Sequence, residues 1–255
     1  MNHVDRAIRE LHAMDWEARS EGWLQGILPV MKLLVTIVFL VAVLSVGKYD
    51  VAKLLLLSAY IVVSFILGGV SVKQMWRRMW TLLLLVCFMG VPNPYFDRQP
   101  LMYLGSFSLT GGMLSMLTLL MKGCLAIAAA YMLMVTTTME ELCHALRTLH
   151  VPSILVTLLL LVYRYLMVFL QEVKRITQAY SLRAPGQRGV HFRVWGSMVG
   201  NLFLHSIDRA EVVYESMLLR GFQGEFFLER KQGITMADLV YLIGWISFFI
   251  VIRWL

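Results

Sequence analysis

The sequence predicts an all-α fold: a polytopic membrane protein with about five transmembrane helices, one short and two long cytoplasmic amphipathic helices. Hydrophobic residues make up 59% of the 255 positions and charged residues only 15%, against about 25% charged in soluble domains. Apolar segments of roughly 20 residues, the length that crosses a hydrocarbon core of about 30 Å, recur along the chain. Residues 153–224 instead place apolar residues every three or four positions between charged ones, which is typical of amphipathic helices.

Five apolar segments are the predicted spans. They cover residues 26–46, 51–67, 79–91, 111–135 and 236–252. The third is short, and its helix is expected to begin within the basic, tryptophan-containing segment at residues 72–78, which is typical of an anchor at the membrane interface. Turn-forming residues fill the connection to the fourth span, which is therefore predicted to be a loop.

The distribution of lysine and arginine predicts the orientation in the membrane. Basic residues cluster before the first span, at residues 72–78 and throughout the region after the fourth span, and few lie on the opposite side. Because cytoplasmic segments carry the excess of such residues, the N-terminus is expected inside and the C-terminus outside. The predicted regions are an N-terminal region with four spans at residues 1–135, a cytoplasmic coupling-helix region at 136–234 and a last span at 235–255. The chain opens without the pattern of a cleaved signal peptide, so the first span is expected to direct insertion.

A short helix is predicted at the start of the cytoplasmic region, at residues 139–149. A capping box fits its N-terminus in two registers, Thr137 with Glu140 or Thr138 with Glu141. Pro152 is expected to close this helix, and Ser153 is expected to cap the next one.

Two long helices follow, from residue 153 to about 182 and from about 190 to 219, each roughly 30 residues or 45 Å long. One apolar stripe runs along the second helix, formed by Phe192, Trp195, Val199, Leu202, Ala210, Val213 and Met217. The beginning of the first helix, residues 154–170, is apolar enough to resemble a span. Arg164 within it and the charged residues that follow favour a helix that is buried in protein at its start and emerges at its end.

Both long helices end in an arginine followed by residues that terminate a helix. Arg183 is followed by an Ala-Pro-Gly sequence that begins at Ala184, and Arg220 is followed by Gly221. Two interpretations stay open from the spacing alone: an arginine that only complements the helix dipole, or a guanidinium fork presented to an acidic groove of a partner. The recurrence at two adjacent cytoplasmic helices favours docking.

Other catalytic or ligand-binding patterns are weak. The sequence has no G-x-x-x-x-G-K-[ST] nucleotide loop, and its histidines do not share a helix face at metal-ligand spacing. Its three cysteines are interpreted as inert thiols and its methionines as packing residues, so no cofactor or metal is expected on this chain. Lys122 and Arg164 lie in apolar surroundings, where an ionisable side chain is either functional or paired between helices. The net charge of +7 fits cytoplasmic loops rather than nucleic-acid binding.

Several segments together form a recognisable pattern. They are Pro29 with Lys32, Thr137-Thr138 through Leu142, Ala145-Leu146, Leu149, Pro152, Tyr163-Arg164-Tyr165, Asp208-Arg209-Ala210-Glu211, and Ser216-Met217-Leu218-Leu219-Arg220-Gly221-Phe222 with Gly224. This pattern resembles the transmembrane coupling (T) component of energy-coupling-factor transporters, a class of ABC importers, and within it the cobalt-type, CbiQ-like branch. The resemblance covers most of the chain. Leu182 and Leu219 depart from the alanine usual in that family, and residues 29–32 lack its usual arginine.

The resemblance implies a non-catalytic subunit of a bacterial plasma-membrane importer, set in the lipid bilayer. Two cytosolic ABC ATPase subunits would dock on its helix ends, and a separate substrate-binding membrane subunit would carry a divalent cobalt or nickel ion. The docking residues would be Arg183, Ala184, Arg220 and Gly221, and the helix-packing or coupling residues would be Arg164, Asp208 and Arg209. The chain would bind neither the ion nor ATP.

Three alternatives stay open. The chain could be a coupling subunit shared among vitamin-uptake modules, or a scaffold that recruits a cytosolic partner without transport. It could also be an intramembrane enzyme that uses Arg164, Lys122 or a histidine, although the sequence offers no acid–base pair at workable spacing.

Overall fold

The computed structural model describes residue 9 and residues 22–69, 72–92, 100–104, 107–186, 189–224, 226, 233 and 235–254. Over these residues the protein is helical except for one short hairpin, with eight helices in chain order. The described residues form two compact units. The all-α fold class predicted from composition and periodicity is therefore confirmed.

The span unit consists of the described residues within Glu17–Thr138 and Lys231–Leu255. Its elements are α1 (Pro29–Ser45), α2 (Val51–Gly68), α3 (Val72–Gly90), β1 (Pro100–Leu104), β2 (Phe107–Thr110), α4 (Gly111–Thr136) and α8 (Met236–Trp254). Pro29 opens α1, where the missing backbone N–H costs nothing. The helix α2 stops at Gly69, which adopts a left-handed conformation with φ 61°.

An aromatic and aliphatic core joins the helices of the span unit. Val35, Phe39 and Val43 recur every four residues on α1 and are fully buried, so one face of this helix lies inside the unit. Both α1 and α2 pack against α4 and α8. The ring centroid of Phe39 lies 4.6 Å from that of Tyr60 on α2 and 5.5 Å from that of Phe249 on α8. These three aromatic rings therefore tie α1, α2 and α8 together.

The helix α3 packs against α4 at a glycine. A Cβ atom added to Gly123 would lie 2.7 Å from Cγ1 of Val86, so a larger residue there would push the two helices apart. Beyond this contact α3 exposes large apolar side chains, such as Phe88 and Met89. As predicted, the helix begins within the basic, tryptophan-containing segment rather than after it.

The connection between α3 and α4 is not an irregular loop over its described residues. Strands β1 and β2 pair in antiparallel register, with Leu104 opposite Phe107 and Tyr103 opposite Ser108. The prediction of a loop was wrong here, because turn-forming residues flank the short strands and concealed their apolar runs.

The long-helix unit contains α5 (Met139–Thr148), α6 (Ser153–Arg183) and α7 (Phe192–Leu219), all within Met139–Arg230. The predicted helix boundaries agree with these to within two residues. One of the two capping registers predicted for α5 fails, and so does the cap predicted for α6. The Oγ1 atom of Thr137 is buried without a hydrogen-bond partner, so the Thr137–Glu140 capping box does not form. Pro152 occupies the N-cap position of α6, and Ser153 is its first helical residue.

Few side chains of the long-helix unit are buried. Only Val156 and Thr157 are buried on α6, and no residue is buried on α7. The expectation that α6 is buried in protein at its start holds on one face only: Val156 and Thr157 are buried, whereas Ile154 is 63% exposed and Leu155 is 54% exposed. Such contiguous apolar surface indicates that these helices are covered by lipid or by another protein.

Four described helices are long and apolar enough to cross a membrane, namely α2, α4, α6 and α8. The chain is thus a multi-pass membrane protein. The helix α1 is apolar but shorter, with 17 residues. The helix α3 contains three basic residues in its first two turns, which lower its mean hydropathy. The arrangement expected from the sequence, with α1 and α3 in the membrane and α6 in the cytoplasm, stays a prediction.

Candidate functional site

The first arginine, Arg183, is the last residue of α6 and is exposed. The next residue, Ala184, leaves the helical conformation, with φ −125°, while its N–H still donates to the carbonyl of Tyr180 at 3.1 Å. Gly186 then takes φ 102°, which turns the chain away from the helix axis. The guanidinium group of Arg183 makes no hydrogen bond or ion pair within the described residues.

The second arginine, Arg220, is the C-cap residue of α7 and is also exposed. A Schellman motif ends this helix: the N–H of Gly221 donates to Leu218 at 2.9 Å, and that of Phe222 donates to Met217 at 3.0 Å. Gly221 provides the left-handed residue that the motif requires, with φ 78°. Arg220 forms no side-chain hydrogen bond or ion pair with any described residue, so both predicted docking arginines are available to a partner.

An exposed leucine precedes each arginine. Leu182 is 82% exposed and Leu219 is 90% exposed. Each helix end therefore presents a bare apolar side chain beside an unpaired cation. Apolar and charged groups of this kind are what a partner groove can desolvate and pair. We call these two ends, residues 182–184 and 219–221, the first and second helix tips.

Arg147 on α5 supports the second tip, a function that its sequence context does not reveal. Its Nη1 donates to the backbone carbonyl of Phe226 at 2.7 Å, a contact across 79 residues of chain. The ring of Phe226 lies 5.2 Å from that of Phe222, directly after the tip. Arg147 and this ring pair thus tie the segment that follows Arg220 to α5. No local sequence pattern predicts such a contact, because its acceptor is a backbone atom.

Local hydrogen bonds fix the other ends of these helices. At the start of α7, Nδ1 of His191 accepts from the N–H of Arg193 at 3.3 Å. At the end of α5, His150 adopts φ 63° in a second Schellman motif, in which the N–H of Val151 donates to Leu146 at 3.1 Å. These two histidines, interpreted from the sequence as polar residues without a metal, therefore lie at helix ends. No set of three metal-ligating side chains lies together among the described residues.

The predicted packing residues are not brought together. A cleft of about 510 Å³ separates α6 from α7 and is lined largely by apolar side chains. Arg209 lines this cleft on α7, across from Arg175 and Glu172 on α6. Asp208 and Arg164 are exposed elsewhere and have no hydrogen-bond or ion-pair partner within the described residues. Their proposed function in coupling stays a prediction.

The apolar stripe predicted on α7 faces α6 only from Leu202 onward. Leu202, Val213 and Met217 line the cleft with α6. At the N-terminal end of the stripe, Phe192 is 90% exposed and Trp195 is 53% exposed. One part of the stripe thus faces α6, and the other part is exposed.

Lys122 is paired with backbone carbonyls of another helix. Its Nζ donates to the carbonyls of Val46 at 2.5 Å and Leu44 at 3.4 Å, at the C-terminal end of α1. A cation at this position satisfies carbonyls that the helix itself leaves open and complements the helix dipole. Of the two interpretations held open for Lys122, pairing between helices is therefore the one that the geometry favours.

The thiol of Cys143 on α5 is fully buried. Burial, and then the negative charge of Glu140, raise the pKa of this thiol above its ordinary value. A thiol with a raised pKa stays protonated and unreactive near neutral pH. The interpretation of Cys143 as an inert residue agrees with this environment.

Comparison with known proteins links this arrangement to a family. The CbiQ family model, described as "Cobalt transport protein", matches residues 20–232. An uncharacterized protein of Methanocaldococcus jannaschii is 22% identical over 253 residues, which is 95% of this chain and 86% of that protein. The nickel permease LarQ of Lactiplantibacillus plantarum is 29% identical over 188 residues, which is 67% of this chain and 68% of LarQ.

Proposed function

Because this chain belongs to the CbiQ family of cobalt transport proteins, we propose that it is the transmembrane coupling subunit of an energy-coupling-factor importer. Its task is to transmit the movement of cytosolic ATPases to a substrate-binding membrane subunit. One observation carries the proposal: each of two long helices ends in an exposed arginine without a partner in the described chain, next to an exposed leucine.

The helix tips suit two ATPase subunits. Each tip offers one guanidinium group, which binds a carboxylate through two parallel hydrogen bonds. Each also offers one leucine, which can fill an apolar pocket beside that carboxylate. Two similar tips on two helices match a pair of similar grooves, one on each ATPase.

The transported substrate is proposed to be a cobalt or nickel ion held by a separate membrane subunit. The family description names cobalt, and one relative is named a nickel permease. The described residues of this chain contain no cluster of metal ligands that would carry the ion instead. Neither the family nor that relative is named for vitamin uptake, so the proposal commits to a metal ion.

The coupling is mechanical. When ATP closes the ATPase pair, the two bound tips move with it, and α6 and α7 carry this displacement along their length. The cleft between them spans the middle of α6, residues 161–175, and residues 202–217 of α7. Arg183 lies about 12 Å beyond Arg175, the last lining residue of α6, at 1.5 Å per residue. Each tip thus extends beyond the contact between α6 and α7. When the ATPases move the tips, the two helices rotate about this contact and displace the apolar surfaces that face the substrate-binding subunit.

Substitution of the two arginines tests the proposal. Truncating one partner of a desolvated, hydrogen-bonded charge pair costs about 2–5 kcal/mol. Arg183→Ala or Arg220→Ala should each weaken ATPase binding strongly, and the double variant should lose both the ATPases and ion uptake while remaining in the membrane. The measurement is co-purification with the ATPases, together with uptake of radioactive cobalt or nickel in proteoliposomes.

The matched control is Arg193→Ala, which removes an exposed arginine from the other end of α7. This variant should bind the ATPases normally. Arg→Lys at either tip should restore only part of the binding, because an ammonium group lacks the planar fork. A double alanine variant that retains its ATPases and imports at the normal rate would reduce the two arginines to ordinary helix caps. A complex that holds ATPases but never imports would instead indicate a scaffold.

A further inference from the structure

The chain leaves the span unit after Thr138 and enters it again at Lys231. On the side of the span unit, the first crossing follows the end of α4 at Thr136, and the second precedes the start of α8 at Met236. A displacement that the chain carries through these two crossings enters the span unit at these two helix ends. Helix ends are the parts of a protein that open most easily. What holds them in place therefore matters for coupling.

A buried lysine holds the end of α4. Lys32 on α1 is only 3% exposed. Its Nζ donates to the carbonyl of Thr136 at 2.8 Å and to that of Gln25 at 3.3 Å. Thr136 is the last residue of α4, so the cation satisfies a carbonyl that the helix leaves open and complements the negative end of its dipole.

A buried aspartate holds the start of α8. Asp238 is also only 3% exposed. Its Oδ2 accepts from the N–H of Thr235 at 2.8 Å, and its Oδ1 accepts from the N–H of Leu28 at 2.9 Å. The first contact closes the N-terminal turn of α8, where the dipole favours an anion. The second ties this turn to the N-cap residue of α1.

The two charges meet on one turn of the chain. The turn from Gln25 to Leu28 accepts from Lys32 at its first residue and donates to Asp238 at its last. Three helix ends, the start of α1, the end of α4 and the start of α8, are therefore joined through four hydrogen bonds to charged groups. Buried charges are costly, and hydrophobic residues of similar volume often replace them without loss of stability. Their presence at both crossings suggests a need for fixed positions rather than for stability alone.

We propose that Lys32 and Asp238 are positioning residues that clamp these two chain crossings to one rigid junction. Displacement of the long-helix unit by the ATPases then moves the span helices instead of fraying the ends of α4 and α8. This inference rests on the proposed coupling function. We call the set of Gln25, Leu28, Lys32, Thr136, Thr235 and Asp238 the junction.

Lys32→Met and Asp238→Asn test the junction, because each removes a charge with little change of volume. The matched control is Lys122→Met, since Lys122 makes the same kind of contact with carbonyls at the opposite end of α1. Each variant is reconstituted in proteoliposomes with the ATPases and the metal-binding subunit. Uptake of radioactive cobalt or nickel and ATP hydrolysis are then measured in the same vesicles.

The expected result is a change in the number of ATP molecules hydrolysed per ion imported. A coupling free energy of typical size corresponds to a factor of about 5 or more, so both junction variants should raise this ratio by about that factor. In Lys122→Met the ratio should equal that of the wild type, even if the amount of folded complex falls. A merely structural function of Lys32 and Asp238 would lower uptake and hydrolysis together. An unchanged ratio in the junction variants would overturn the inference.

Hydrogen exchange in the purified chain provides a measurement that does not depend on transport. In Lys32→Met and Asp238→Asn, amides at residues 133–139 and 235–239 should exchange faster than in the wild type, and in Lys122→Met they should not. Equal exchange in all variants would contradict the clamp. A wild-type complex that hydrolyses ATP without importing would contradict the proposed function, while the exchange experiment would still decide whether the junction fixes these helix ends.

Discussion

At the residue scale, the surroundings of each cation decide whether it is bound within the chain or exposed. Lys32 and Lys122 both lie in apolar segments, and both donate to carbonyls at helix ends. Arg183 and Arg220 also lie at helix ends, yet both are exposed and have no partner within the described residues. The lysines therefore hold the fold together, whereas the arginines are free to bind another protein.

Arg147→Ala should weaken the second tip without touching either docking arginine. A hydrogen bond to a charged group contributes about 1.5–3 kcal/mol, and its loss would release the segment after Arg220 from α5. The effect should be clearest in an Arg183→Ala background, where the second tip alone binds the ATPases. There we expect the dissociation constant of the ATPase to rise roughly tenfold, which corresponds to about 1.4 kcal/mol of lost binding free energy.

Titration of purified ATPase onto the chain in nanodiscs measures this change. Arg147→Lys should restore part of the affinity, since a lysine can still donate to the Phe226 carbonyl. Arg193→Ala in the same background provides the control. Equal affinity with and without Arg147 would mean that the contact orders the backbone but does not shape the docking surface.

At the element scale, the ends of the long helices determine where the tip arginines lie. A Schellman motif ends α7 and places Arg220 at its cap, while Ala184 and Gly186 turn the chain away after α6. The periodicity of the sequence predicts the body of each helix. The orientation in which the tip arginine meets a partner depends on the few residues of the turn. Changes at the turn should therefore affect docking more than changes along the helix.

Gly221→Ala tests this dependence. At φ 78° a Cβ atom is strained, and the left-handed conformation costs about 1–2 kcal/mol for a residue other than glycine. We expect a lower melting temperature and weaker ATPase binding at the second tip. The measurements are thermal unfolding of the purified chain and the same ATPase titration.

Gly196→Ala provides a matched control on the same helix. Its added Cβ would meet no atom within 4 Å, and it lies in the body of α7 at negative φ. Alanine there should stabilise the helix by about 1 kcal/mol or less and leave docking unchanged. If Gly221→Ala behaved like Gly196→Ala, the turn would not determine the geometry of the tip.

At the scale of the whole molecule, the membrane topology depends on α6. Its length and hydropathy permit it to span, whereas the proposed function requires the segment after it to be cytoplasmic. The distribution of lysine and arginine favours the cytoplasmic arrangement, because that segment is rich in basic residues. The hydropathy of α6 and the proposed function thus disagree about whether this helix spans, and an experiment can decide between them.

Cysteine labelling in whole cells determines the topology. In a variant without its native cysteines, Arg98→Cys should react with an impermeant maleimide from outside, and Arg188→Cys and Lys231→Cys should react only after the cells are opened. Reaction of Arg188→Cys from outside would show that α6 crosses the membrane. The docking tip at Arg183 would then lie on the wrong side for cytosolic ATPases.

The sequence by itself determined the class of the protein, its helices and the arginines that end the two long ones. These features depend on composition, on the 3.6-residue period and on terminators such as Gly221, all of which act over a few neighbouring residues. The hairpin of β1 and β2 could not be predicted from such local signals, because its strands are short and their pairing is a contact between segments.

Only the tertiary structure decided which charged residues are structural and which are available to a partner. Lys32 reaches a carbonyl 104 residues away, Asp238 caps a turn 210 residues away, and Arg147 binds a carbonyl 79 residues away. In each contact one side is a backbone atom, which every residue type carries alike. The sequence therefore gives no sign of the acceptor or donor, and only folding brings the two atoms together.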